Sequence, residues 1–195
     1  MTVAIVKYNS GNVQSVQFAL QRIGVESIVT DDAAIIREAD RVIFPGVGHA
    51  ASAMAYLREH HIDELMLSLT QPVLGICLGL QLMCNFSEEG ETPCLGIFNE
   101  PVKLFQSATL KVPQMGWNTI YNLKGDLFHG MDAAAYVYSV HSYYAALGND
   151  TIATTDYIMP YSAALQKDNY YAVQFHPEKS GAMGELILNN FITRL

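Results

Sequence analysis

The chain has 195 residues, half of them hydrophobic and 15% charged, with 11 basic against 19 acidic side chains for a net charge of −8. That length and balance support one globular unit over residues 1–195 with a sizeable core, and exclude a disordered composition. The acidic residues are scattered and no Lys/Arg cluster occurs, which argues against nucleic acid or an anionic membrane surface as the main ligand.

The amino terminus passes directly into the apolar run Thr2 to Val6, with no basic stretch ahead of it and no cleavage-like site after it, so no signal peptide is expected. Leu65 to Ser87 carries no charge and is long enough to span a bilayer. Pro72, Gly75 and Gly79 divide it, however, into a helix end, a strand and a new helix, and no transmembrane segment is expected. Three cysteines (Cys77, Cys84 and Cys94) form no CxxC pair and lack zinc-ligand spacing. Reduced thiols in a cytoplasmic protein, with no metal and no cofactor, are the expectation.

In chain order, Val3 to Val6 reads as a short buried strand, followed by the turn cluster Tyr8-Asn9-Ser10-Gly11. Asn12 can cap a helix whose apolar face is Val13, Val16, Leu20 and Ile23, closed by Gly24. Val25 to Val29 and Val42 to Phe44 read as further strands, the latter ended by Pro45-Gly46. Ala50 to Leu69 is helical, divisible into two pieces. Pro72 to Ile76 is a buried strand and Leu78 to Phe86 the helix after it. Strands spaced by helices predict an α/β fold, an open, mostly parallel sheet flanked by helices. From Val102 onward the runs are short and β-rich: Val102 to Phe105, Tyr136 to Val140, Ile152 to Thr155, Ser162 to Leu165 and Tyr170 to Phe175. They predict an antiparallel portion in the second half. A last helix, Met183 to Arg194, puts Met183, Leu186, Ile187 and Phe191 on one face.

Leu74-Gly75-Ile76-Cys77-Leu78-Gly79 places a cysteine between an apolar strand and a helix, with a glycine two positions to either side. This is the layout of a nucleophile elbow. The helix start favours a thiolate, and its free N–H groups can meet an oxyanion. Against this stands the fact that free cysteine is commonly plain packing. Cys84, seven residues on, reads as core. Of the six histidines, His60 and His61 lie on a polar helical stretch, His49 and His129 sit beside glycines, and His141 ends a β run. His176 also ends a β run and is followed by Pro177-Glu178, so that Glu178 can reach back to its imidazole as the third member of a triad does. A strand-capping His176 with a solvated Glu178 is the alternative.

Taken together, Gly75-Ile76-Cys77-Leu78-Gly79, His176-Pro177-Glu178 and Pro45-Gly46-Val47-Gly48 resemble the class I (triad) glutamine amidotransferases. Gly11-Asn12, Pro113-Gln114-Met115-Gly116-Trp117-Asn118, His141-Ser142-Tyr143-Tyr144 and His176 to Ser180 are similar to the glutaminase subunits of imidazole glycerol phosphate synthases within that family. Lys7, Asn9, Leu80 and Gln114 depart from the residues common there.

The resemblance implies that Cys77, His176 and Glu178 are catalytic and that glutamine is hydrolysed through a glutamyl thioester. It implies an oxyanion hole from Gly46, Val47 and Leu78, and substrate contacts from Gly48, Gln81, Ser142 and Tyr143. It further implies a separate β/α-barrel cyclase that receives the ammonia, with Asn12, Trp117, Tyr143 and Lys179 at the shared surface. That cyclase converts phosphoribulosyl-formimino-AICAR phosphate to imidazole glycerol phosphate and AICAR in histidine biosynthesis. The glutaminase of another amidotransferase, a stand-alone Cys-His γ-glutamyl hydrolase and a catalytically dead module are the competing readings.

Overall fold

The computed structural model describes residues 1–195. Its first half alternates strand and helix: β1 (Val3–Val6), α1 (Val13–Arg22), β2 (Ser27–Thr30), α2 (Ala33–Glu38), β3 (Arg41–Gly46), α3 (Ala50–Glu59), α4 (Ile62–Ser68), β4 (Val73–Cys77) and α5 (Leu78–Met83). The second half is β-rich: β5 (Phe86–Ser87), β6 (Thr92–Pro93), β7 (Pro101–Leu104), β8 (Gln114–Tyr121), β9 (Ala134–His141), β10 (Tyr143–Ala145), β11 (Thr151–Tyr157), β12 (Met159–Lys167) and β13 (Tyr170–Val173). Helix α6 (Gly181–Arg194) closes the chain.

Nine strands form one sheet in the order β2-β1-β3-β4-β13-β12-β11-β8-β9. It is parallel from β2 through β4 to β13 and antiparallel from β13 to β9. A smaller sheet, β10-β7-β5-β6, flanks it. All four residues of β1 are fully buried, and they alternate between two apolar clusters. Ala4 and Val6 join Phe44, Met54, Leu57 and Met66 under α3 and α4, whereas Val3 and Ile5 join Leu20, Ile187 and Phe191 under α1 and α6. The period-2 alternation of a strand therefore feeds a helical layer on each face. Each large side chain so buried contributes roughly 1.5–3 kcal/mol.

Several elements differ from the sequence-based expectation. The second strand starts at Ser27, because the Val25 N–H is spent on the Leu20 carbonyl (2.9 Å) in the turn that closes α1. Helix α2 was not anticipated; Asp32 caps it, its carboxylate accepting from the N–H groups of Ala34 and Ile35. The long helical stretch breaks at His60-His61, where His61 is left-handed (φ 55°). Helix α5 stops at Met83 rather than Phe86, and Phe86–Ser87 instead pairs with Thr92–Pro93 in the small sheet. Strand β8 was missed altogether; Met115 and Trp117 on it are exposed, so it offers no clean apolar alternation. On α6, Ile187 and Phe191 are buried as expected, but Leu188 and Ile192 complete the face in place of Leu186.

Cys77 adopts φ 54°, ψ −107° between β4 and α5, the strained corner expected of an elbow. The glycines are explained by crowding rather than by their own torsions. A Cβ on Gly79 would lie 1.9 Å from the Phe44 carbonyl oxygen, and one on Gly75 would lie 2.5 Å from Met83 Sδ. Helix α5 thus packs backbone-to-backbone on β3. Gly79→Ala is expected to destabilise the chain by about 3 kcal/mol or more, because the clash is with main chain that cannot rotate away. Thermal or urea unfolding of the variant measures it; a change within the ±0.5 kcal/mol of an ordinary surface substitution would contradict the packing described.

Candidate active site

The parallel register brings three strand ends level. Gly46 of β3 lies opposite Cys77 of β4, and Val173 of β13 lies opposite Ile76. The segments that leave these strands, around Val47, Leu78 and His176, consequently meet over one point at the carboxyl end of the sheet, where open α/β folds collect ligands.

His176 is fully buried. Its main-chain N–H donates to the Tyr138 carbonyl (2.8 Å). The Ser180 hydroxyl donates to the His176 carbonyl (2.6 Å) and accepts from the Tyr138 N–H (2.9 Å), pinning the His176–Ser180 turn to β9. Within that turn Nδ1 of His176 is 2.7 Å from Glu178 Oε1. The Asn12 side chain also donates to Glu178 Oε1, and it lies 3.4 Å from Nδ1. Asn12 was expected to cap α1; it stands at the cap position in a left-handed conformation (φ 75°), but turns its carboxamide to the His176–Glu178 pair. Nε2 of His176 is buried with no hydrogen bond of its own. Burial pulls the pKa of this imidazole down, but the Cys77 sulfur and the Glu178 carboxylate outweigh it and raise it to about 10. These two neighbours favour the imidazolium form of the ring.

A cavity of about 220 Å³ opens over Cys77, smaller than the roughly 300–1,000 Å³ typical of drug-sized sites. Val47, Gly48, Leu78, Gln81, Ser142 and Tyr143 all line it, as does Glu89, its one carboxylate. Glu89 escaped the sequence reading because nothing in the pair Glu88-Glu89 distinguishes one from the other. In the structure Glu89 accepts the Ala50 N–H (2.6 Å) at the start of α3.

Of the residues expected to form an oxyanion hole, Leu78 opens α5, where backbone N–H groups have no helical partner. Gly46 flanks Cys77 in the sheet. The Val47 amide departs from expectation. Its N–H donates to Ser10 Oγ (2.7 Å), while the Ser10 hydroxyl donates back to the Val47 carbonyl (2.9 Å). This clamp commits the Val47 N–H away from the cavity.

The cavity wall at Ser142 and Tyr143 is tied to neighbouring elements. The Ser142 carbonyl accepts from Phe105 N–H (2.9 Å) and the Tyr143 carbonyl accepts from Gln81 Nε2 (2.9 Å), each bond taking one of the oxygen's two lone pairs. His141, buried behind the wall, sets Nδ1 2.8 Å from the same Tyr143 carbonyl and Nε2 3.1 Å from the Tyr161 hydroxyl. Of the other residues expected at a partner surface, Trp117 is 57% exposed, Lys179 is exposed and Tyr143 is half-buried. Trp117 meets Tyr138 edge-on beside the His176–Ser180 turn. Cys84 is fully buried with its thiol pKa pushed well up by desolvation, and burial raises Cys94 to about 11; neither lines the cavity.

Desolvation lowers the pKa of His141 to about 4, against a hydrogen bond to Tyr143 that raises it. The unfolded chain binds this proton near pH 6.5 and the folded chain only near 4, so the unfolded state carries more protons between those values. The resulting stabilisation is complete above pH 6.5 and is lost as pH falls toward 4, an effect of about 3 kcal/mol. Urea unfolding at pH 7 and pH 4.5, with His141→Gln as the comparison, is expected to show the variant losing less stability on acidification. An equal loss in both proteins would contradict the neutral, donor-to-Tyr143 state.

The sequence model of the glutamine amidotransferase class-I family matches residues 4–195. The "Imidazole glycerol phosphate synthase subunit HisH" of Bacteroides fragilis is 57% identical over 98% of this chain and 99% of its own. The protein of that name from Yersinia pseudotuberculosis is 44% identical over 98% and 99%. A solved glutamine amidotransferase, only 16% identical, superposes with a TM-score of 0.73 over 97% of this chain and 96% of that one, a likeness of fold. With the family model spanning nearly every residue, and the elbow, the buried imidazole–carboxylate pair and the cavity arranged on that fold, the chain belongs to the class I glutamine amidotransferases.

Proposed function

We propose that this chain is the glutamine-hydrolysing subunit of an imidazole glycerol phosphate synthase, acting as one unit over residues 1–195 in the cytoplasm beside a β/α-barrel cyclase. The observation that carries the reading is Cys77 on a strained elbow at the floor of a small cavity, beside an imidazole held by Glu178. The full-length relatives bearing that subunit's name supply the acceptor. No helix is long and apolar enough to cross a membrane, which accords with the location.

In this reading the Cys77 thiolate attacks the side-chain amide carbon of glutamine, forming the C–S bond and pushing the carbonyl electrons onto oxygen. His176 gives its proton to the departing nitrogen, and ammonia leaves as the thioester forms. Water, losing a proton to His176, then attacks the thioester; the C–S bond breaks and glutamate departs. Glu178 and Asn12 keep the imidazole oriented throughout. Gly48, Gln81, Ser142, Tyr143 and Glu89 surround the substrate, with the Glu89 carboxylate suited to its ammonium group. The ammonia passes to the cyclase for the conversion of phosphoribulosyl-formimino-AICAR phosphate to imidazole glycerol phosphate and AICAR. Asn12, Trp117, Tyr143 and Lys179 are assigned to the shared surface.

The Ser10 clamp bears on the basal rate. The Leu78 N–H alone does not make a two-donor oxyanion hole, and one missing donor costs about 10²–10³ in rate. Release of Val47 from Ser10 on docking would supply the second. Glutamate release from glutamine, measured alone and with the cyclase plus its nucleotide, tests the assignment. Strong stimulation is expected, and Cys77→Ala should lower the stimulated rate by roughly 10⁴-fold or more. A high rate without cyclase, unchanged by adding it, would point instead to a stand-alone hydrolase. Ser10→Ala is expected to raise the unstimulated rate about five- to tenfold, the worth of a net hydrogen bond. An unchanged unstimulated rate in that variant would mean that Val47 is not what limits it.

A further inference from the structure

Gln174 lies one residue beyond β13, and the pairing of Val173 with Ile76 sets it beside Cys77. Its main chain is tied to β12 through the Ala163 carbonyl (2.8 Å), and its side chain is 1% exposed. The orientation of the carboxamide follows from a partner that can only accept. The Tyr143 carbonyl is 2.9 Å from Gln81, so the nitrogen of Gln81 must face it. That same nitrogen is 3.1 Å from Gln174, which must therefore present its oxygen. The nitrogen of Gln174 is left pointing at Cys77 Sγ, 3.8 Å away.

We infer that Gln174 is a further catalytic residue of this site, donating to the Cys77 sulfur while its oxygen fixes the Gln81 carboxamide on the substrate wall. The inference rests on the proposed role of Cys77 as nucleophile. An N–H bonded to sulfur favours the thiolate over the thiol, since a charge-assisted hydrogen bond is the stronger one. Gln174 supplies that preference without adding a charge, in a place too buried for water to substitute. The same bond weakens when the sulfur becomes a neutral thioester and returns when hydrolysis regenerates the thiolate. Because its other end holds Gln81, one side chain sets the nucleophile and the substrate wall together.

A merely structural buried amide would predict loss of stability alone, and the pH profile of the thiol separates the two. Alkylation of the full-length chain by iodoacetamide is followed against pH by mass spectrometry, with Cys84 and Cys94 as internal references. In Gln174→Met the midpoint for Cys77 is expected to rise by about one pH unit, and in the cyclase complex kcat should fall about tenfold, with KM for glutamine raised as Gln81 loses its anchor. In Gln81→Met, which keeps the Gln174 donor, KM should rise while the Cys77 midpoint stays put. Should Gln174→Met not fold, Gln174→Asn serves, because it keeps a buried carboxamide but draws the donor back from Sγ without adding a charge. An unchanged midpoint in a folded Gln174 variant overturns the inference. Wild-type protein alkylated at Cys77 that still hydrolyses glutamine would instead remove the nucleophile assignment, and the inference with it.

Discussion

The arrangement of the site depends on one constraint, the parallel register that ends β3, β4 and β13 at the same level. Gly46 sits opposite Cys77 and Val173 opposite Ile76 because every residue of β4 and β13 is buried and the alternation of their side chains must match the helical layers above and below. A slip of one residue would turn each side chain to the wrong face. With the register set, the chain leaving β3 carries Val47, the chain leaving β4 carries Leu78, and the chain leaving β13 carries Gln174 and His176 to a common point. The strained Cys77 corner is tolerated there because Gly75 and Gly79 let α5 lie directly on the backbone beneath.

Two buried histidines at this site are driven in opposite directions. Desolvation disfavours the charged form of both. His176 faces a carboxylate and a sulfur and keeps its proton; His141 faces a main-chain carbonyl and a phenol and does not. Burial sets the state of His141, and only at His176 do the neighbours overcome it. A cationic ring beside Cys77 suits proton delivery, and a neutral ring behind Tyr143 suits a wall that has only to stay still. Burial raises the thiol pKa values of Cys84 and, against the pull of the Arg58 charge, of the partly buried Cys94.

What could be read from the sequence was local. Gly-x-Cys-x-Gly between an apolar strand and a helix, and His-Pro-Glu after a β run, carry their meaning within a few residues, and the elbow and the imidazole–carboxylate pair are found where those motifs predicted them. Strand β8 escaped because its outward face is open to solvent along Met115 and Trp117, so the apolar alternation that marks a strand is absent. Asn12 stands at the cap position of α1 as read, but that its side chain serves Glu178, 166 positions away, instead of the helix end leaves no mark in sequence. Ser10 with Val47, Gln81 with Gln174, and Glu89 with Ala50 are likewise contacts between distant segments. No spacing rule anticipates them, because they exist only once the sheet has paired.

Trp117, the only tryptophan in the chain, is 57% exposed on β8, against Tyr138 and beside the turn that carries His176. The indole therefore emits from a mostly hydrated surface and borders the site without belonging to it. Any macromolecule that covers this face will strip water from the ring and shift its fluorescence to the blue. Glutamine entering the cavity, which Trp117 does not line, leaves that hydration as it was. The protein thus carries an intrinsic optical reporter that separates occupancy of the face from occupancy of the pocket, with no label to attach and no engineered residue to control for.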